Sequence, residues 1–134
     1  MPGSKNLRLL LDTHALLWWL DGDPKLSPAA RKAIADETTE VLVSAASAWE
    51  IATKVRIGKL PGAVDVANGF LRVIENQRFS PSSISVKHAI LAGSMRDAHR
   101  DPFDRMLIAQ AQCDGLTLVS NEALFDRFGI SRLW

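Results

Sequence analysis

The sequence holds one cysteine, Cys113, which excludes an internal disulfide and any cysteine-built zinc site. The stretch "IAQAQCDG" around it reads as helix, so the thiol is expected to pack rather than react. Long apolar runs are missing too: no stretch approaches the roughly 20 residues of a membrane span. The opening "MPGSKN" lacks the charged-then-apolar order of a secretory leader, so a cytoplasmic protein is expected, with residues 1–6 flexible. Charge of one sign is also lacking. Lys and Arg number 16 and Asp and Glu 15, a net of +1, so a polyanion must be recruited by a local patch or a metal rather than by bulk charge. There is no internal repeat and no low-complexity segment. His14, His88 and His99 form no HExxH spacing, and there is no GxSxG elbow, phosphate-binding P-loop or GxGxxG.

What is present is an alternation of short apolar runs and helical patterns over 134 residues, long enough for one domain spanning 1–134 with a real core. "LRLLL" (7–11), "VLVS" (41–44) and "LTLVS" (116–120) read as buried strands, and "ISRLW" as a last strand or tail. "THALLWWL" is helical. Ser27 followed by Pro28 opens a second helix as N-cap and first helical residue. A long helix places Ala48, Ile51, Ala52 and Val55 at helical spacing and ends at Gly58. Residues 64–76 read as one helix, the segment around Pro81 as a loop, "ISVKHAILAGSM" as a short extended piece and a helix, and "PFDRMLIAQAQCDG" as a helix closed by Gly115. Strands separated by helices pair in parallel with helices on both faces. The expectation is an α/β class, three-layer α/β/α domain with a central, mainly parallel sheet. Its functional crevice should lie outside the carboxyl ends of the strands.

Five acids fall near those ends: Asp12 after the first strand, Glu50 in the helix after the second, Asp101 and Asp104 at the start of a late helix, and Glu122 after "LVS". Converging carboxylates repel unless a cation sits among them, and Mg²⁺ or Mn²⁺ suits an all-oxygen ligand set. Such a site fits phosphodiester hydrolysis, because the ion polarises the phosphoryl oxygen and lowers the pKa of the attacking water. Each acid also has a structural role open to it. Asp12 can N-cap the helix beginning at Thr13, Glu50 can pair with Lys54 one turn on, and Asp104 and Glu122 can favour a helix dipole. Asp101, just before Pro102, is best read as a cap. His14 is near Asp12 and can touch substrate or simply lie on a helix surface. Lys54, Arg56 and Lys59 in "KVRIGK" either guide a phosphate backbone or form a solvated helix end. The residues alone leave three classes open: a metal-dependent nuclease, a phosphoryl-transfer protein with Asp12 as nucleophile, and a non-catalytic binding module.

"LLLDTHALLWWL", "SAASAWEIATKVRIGKL", "HRDPFDRMLIAQAQ" and "LTLVSNEALF", in this order and spacing, resemble a PIN-domain ribonuclease and more narrowly the VapC-type toxins of bacterial toxin–antitoxin systems. The resemblance runs from about Leu7 to the end of the chain. It implies a PIN-like α/β/α fold and Mg²⁺- or Mn²⁺-dependent endoribonuclease activity. It further implies RNA as substrate, a cognate antitoxin protein and a homodimer. Carried over by position, the family's acids fall on Asp12, Glu50 and Asp104 as catalytic metal ligands, with Ala109 and Ala111 matching the helix downstream of the third. The fourth acid, usually aspartate, falls on Glu122, one methylene longer, which leaves its direct or water-mediated role open; Asp101 stands beside the site, where a part in holding the metal is open to it as well as its cap. Ser120 matches a small hydroxyl residue at the site edge, with Asn121 adjoining it. "ALLWWL", with Trp18 and Trp19, is too broadly apolar for one buried stripe, so a deeper core or a surface covered by another chain is expected there.

Overall fold

The computed structural model describes residues 7–96 and 101–134, so the expectations for residues 1–6 and for His99 lie outside the described residues. Strand β1 (Arg8–Leu11) sends Leu9 and Leu11 to one side of the sheet and Leu10 to the other, as the two-residue period of a strand requires. β2 (Glu40–Ser44) does the same with Val41 and Val43 against Leu42, and β4 (Thr117–Val119) with Val119 against Leu118. Both faces are therefore apolar, and each needs a helical cover. One layer is built around α1 (Thr13–Asp21), α2 (Pro28–Ala35) and α3 (Ala45–Arg56), with Ala15, Leu16, Ala30, Ile34 and Ile51 buried on it. The opposite layer is α7 (Pro102–Asp114) with Leu107, Ile108 and Ala111, joined by Phe125 of a 3₁₀ turn (Ala123–Phe128). The result is the expected three-layer arrangement. Among the described residues, no helix is long and apolar enough to cross a membrane.

Among the described residues, all five strands are parallel, in the order β3-β2-β1-β4-β5, with β3 at Ser80–Ser82 and β5 at Arg132–Leu133. The chain leaves β1 towards β2 and β3, then crosses to the other side for β4. The switch point thus lies between β1 and β4, where Asp12 N–H donates to the Val119 carbonyl at 3.0 Å.

Three expectations need correction. The segment around Pro81 is an edge strand rather than a loop. Proline has no N–H to give a ladder, and an edge position makes this tolerable. Residues 64–76 form two helices, α4 (Val64–Asn68) and α5 (Phe70–Asn76), broken at Gly69, whose φ/ψ of −131°/37° is not helical. The buried stripe of α3 is Ala46, Ser47, Glu50 and Ile51, so the helix is rotated from the predicted stripe; Ala52 is exposed. Polar Ser47 and Glu50 face inward because Thr13 of α1 meets them there.

Trp18 and Trp19 are half-buried within the chain. Trp18 stacks on His14 and meets Trp134 of the C-terminal tail, with ring centroids 5.6 and 5.8 Å apart. Trp19 packs near Phe79 at 6.1 Å and donates its indole N–H to Gln77 Oε1 at 3.0 Å. Much of the broad apolar face of α1 is thus used internally. Helix α6 (Val86–Ser94) instead leaves Val86 and Ile90, one turn apart, largely open to solvent. Cys113 lies half-buried in α7.

Candidate active site

Asp12 stands where β1 ends and α1 begins. Its Oδ1 accepts the Ala15 N–H at 2.7 Å, so the cap expected from the sequence is made. The Ser120 hydroxyl bonds the same carboxylate, and burial is nevertheless the stronger influence, pushing the Asp12 pKa above the usual aspartate value, with nearby Glu122 adding to the rise. Ser120 is itself fixed. Its Oγ accepts the Glu122 N–H at 3.1 Å, and its carbonyl accepts from Arg132, whose guanidinium also grips both oxygens of Asp126 at 2.8 and 3.0 Å.

Glu50 is buried, although its spacing from Lys54 suggested a solvated helix pair. The Thr13 hydroxyl donates to Oε1 at 2.5 Å and lies 3.1 Å from Ser47 Oγ, while Lys54 Nζ sits 2.7 Å from Oε2. The hydrogen bond to Glu50 raises the Lys54 pKa above its ordinary value, and the charges of Asp101 and Asp104 add to this. Ser44 caps α3 through the Ala46 N–H and binds Gln110, whose amide reaches Ser82 Oγ, so α3, α7 and the edge strand are tied beneath the site.

Asp101 caps α7, with Oδ1 accepting from the Phe103 and Asp104 N–H groups at 2.9 and 3.4 Å. Asp104 lies half-buried one turn in. Glu122 is exposed and precedes the 3₁₀ turn, with no cap bond from its side chain.

These groups share one cleft of about 50 Å³, lined by Asp12, Thr13, His14, Glu50, Lys54, Asp101, Asp104 and Glu122. Five of the eight are acids, so a cation is favoured there and a bare phosphate is not. All five acids singled out in the sequence are brought together, with His14 at the edge and Ser120 behind Asp12. Asn121 is exposed and is not among the lining residues. Of the basic cluster, Lys54 turns into the cleft while Arg56 and Lys59 stay exposed. Sequence reading missed Thr13, whose hydroxyl donates to Glu50, and Ser47, whose hydroxyl meets that of Thr13. The one available signal was a hydroxyl residue directly after Asp12.

The five acids offer oxygen donors alone, which fits a hard divalent ion such as Mg²⁺ or Mn²⁺. Among the described residues, no three acid, histidine or cysteine side chains already converge into a closed ligand set. Glu50 lines the cleft with both of its oxygens already engaged, by Thr13 and Lys54.

The family model for the PIN domain matches residues 9–130 of this chain. The chain is 30% identical over 117 residues to ribonuclease VapC22 of Mycobacterium tuberculosis, covering 85% of this chain and 86% of that protein. Its fold is similar to VapBC2 from Rickettsia felis, solved bound to a promoter DNA fragment. The TM-score is 0.68 at 16% identity, over 94% of this chain and 97% of the other. It is also similar to FitAcB from Neisseria gonorrhoeae, with a TM-score of 0.58 at 17% identity, over 92% and 95% of the two chains.

Proposed function

The chain belongs to the PIN-domain family, and from that premise we propose that it is a Mg²⁺- or Mn²⁺-dependent endoribonuclease, the toxin of a toxin–antitoxin pair. The observation that carries this reading is the gathering of Asp12, Glu50, Asp101, Asp104 and Glu122, from four separate segments, in one cleft at the sheet's switch point. The similarity to a named ribonuclease over most of both chains supports RNA as the substrate.

Asp12, Glu50 and Asp104 are the residues that would hold the ion, with Asp101 and Glu122 bordering them. A divalent ion in this cleft supplies a polarised phosphoryl oxygen and a more acidic attacking water. Asp12 is set in place at the cleft by its cap bond and by Ser120. Thr13 holds Glu50 on the cleft side of α3. Asp101 fixes the first turn of α7 and thereby the position of Asp104. A phosphoacceptor role for Asp12 is less well supported. Lys54, the lysine lining the cleft, pairs with Glu50, and Asp12 spends one oxygen on the α1 cap.

The antitoxin partner is proposed from the family, and the fold's likeness to toxin–antitoxin complexes supports it. A homodimer is proposed on the exposed apolar residues of α3 and α6: Trp49, Val86 and Ile90. The test of activity is cleavage of a stem–loop RNA by purified protein. Cleavage is expected with Mg²⁺ or Mn²⁺, loss in chelator and loss in Asp104→Asn. Undiminished cleavage in chelator excludes the metal-dependent mechanism.

A further inference from the structure

The cleft already contains a cation of its own. Lys54 reaches in from α3 and places its ammonium 2.7 Å from Glu50 Oε2, while its side chain remains 33% exposed and that of Glu50 only 7%. With Oε1 bonded to Thr13, both oxygens of this buried carboxylate are engaged. A buried carboxylate without a partner is costly, and Lys54 is the cation that stands against Glu50 inside the chain. The lysine's stem is long and partly solvated, so its head can leave without disturbing the core.

We propose that Lys54 is the resident counter-ion of Glu50, which a divalent ion must displace, so that metal entry is an exchange of one cation for another. This rests on the metal-dependent reading above. An ammonium and a divalent ion on the same carboxylate oxygen repel strongly at such short range. Asp101 and Asp104 act on Lys54 through their charges and line the same cleft, so the ammonium is held by the very group of acids that would receive the metal. Lys54 is then a positioning residue. It keeps the metal-free chain intact, opposes metal binding, and sets the concentration of ion at which the cleft fills.

The experiment is Mn²⁺ binding to the metal-free full chain, followed by electron paramagnetic resonance of the free ion. Lys54→Met, Lys54→Arg and Lys59→Met are compared with the parent. Lys54→Met should bind Mn²⁺ about fivefold more tightly, the upper end for a partly exposed ion pair. It should also melt lower without metal and close to the parent when saturated. Lys54→Arg should stay near the parent, and Lys59→Met, exposed and outside the cleft, should shift affinity less than about twofold at physiological salt. Equal or weaker binding by Lys54→Met overturns the exchange, as does an equal gain in Lys59→Met, which would reduce the effect to net charge. If the parent does not bind Mn²⁺ at all, the metal-dependent reading fails and the exchange falls with it. Should Lys54→Met not fold, the parent decides alone: the side-chain ammonium resonance of Lys54 should move on saturation with Mg²⁺, and an unmoved resonance overturns the proposal.

Discussion

Asp12 carries two demands that conflict at neutral pH. Its carboxylate caps α1, yet burial disfavours its charge and raises its pKa. A raised folded-state pKa means that the folded chain binds the proton more tightly than the unfolded chain. The charged form therefore costs stability at neutral pH, and this cost is relieved as pH falls through the raised value towards the unfolded value near 3.8. Asn caps about as well as Asp, so Asp12→Asn should melt higher than the parent at pH 7 without metal, with the gain shrinking in acid. A gain that grows as pH falls would contradict this sign. Asp101 differs in kind, since its oxygen serves two N–H groups at the start of α7. Asp101→Ala should cost about 1 kcal/mol in denaturant melts, the usual loss for a cap.

At the scale of elements, α7 both carries Asp104 and supplies the core of one layer, and it is closed by Gly115 at φ 65°. A side chain is strained in that left-handed conformation, so Gly115→Ala should destabilise by about 1 kcal/mol. Gly69 also ends a helix, but at φ −131° with the nearest atom to an added Cβ at 3.7 Å, so Gly69→Ala should change stability by less than about 0.5 kcal/mol. Equal losses in urea melts would show that the break at Gly69 is also conformationally required. The central strands were legible because apolar residues on both faces leave a continuous run, as in Leu9 to Leu11. Ser80–Ser82 was not legible, because an edge strand of serine and proline carries neither run nor alternation and exists through its pairing with β2. The acids of the site were legible for a related reason. Parallel topology delivers strand ends to one edge, so their positions in sequence forecast their meeting. The burial of Glu50 was hidden because its partner Thr13 is 37 residues away, while Lys54 at one turn gives the same pattern as a solvated pair.

For the whole molecule, the open apolar residues Val86 and Ile90 at 77% and 63% exposure stand on the layer opposite α1, whereas Trp18 and Trp19 are already engaged within the chain. Ile90→Glu should therefore weaken self-association in sedimentation without lowering the melting temperature, while polar replacement of Trp19 should lower it. An unchanged association state in Ile90→Glu would remove this face from the proposed dimer. The claim on which the rest depends is that the shared cleft of Asp12, Glu50 and Asp104 binds a divalent ion through those carboxylates. The most direct measurement is the melting temperature of the metal-free chain and of Asp104→Asn, each with and without Mn²⁺. An ion that binds only the folded state stabilises it by about 2.7 kcal/mol at a hundredfold excess over Kd, a shift of several degrees. The account predicts that shift in the parent and its loss in Asp104→Asn. An Asp104→Asn variant that is destabilised yet responds fully to Mn²⁺ would contradict it.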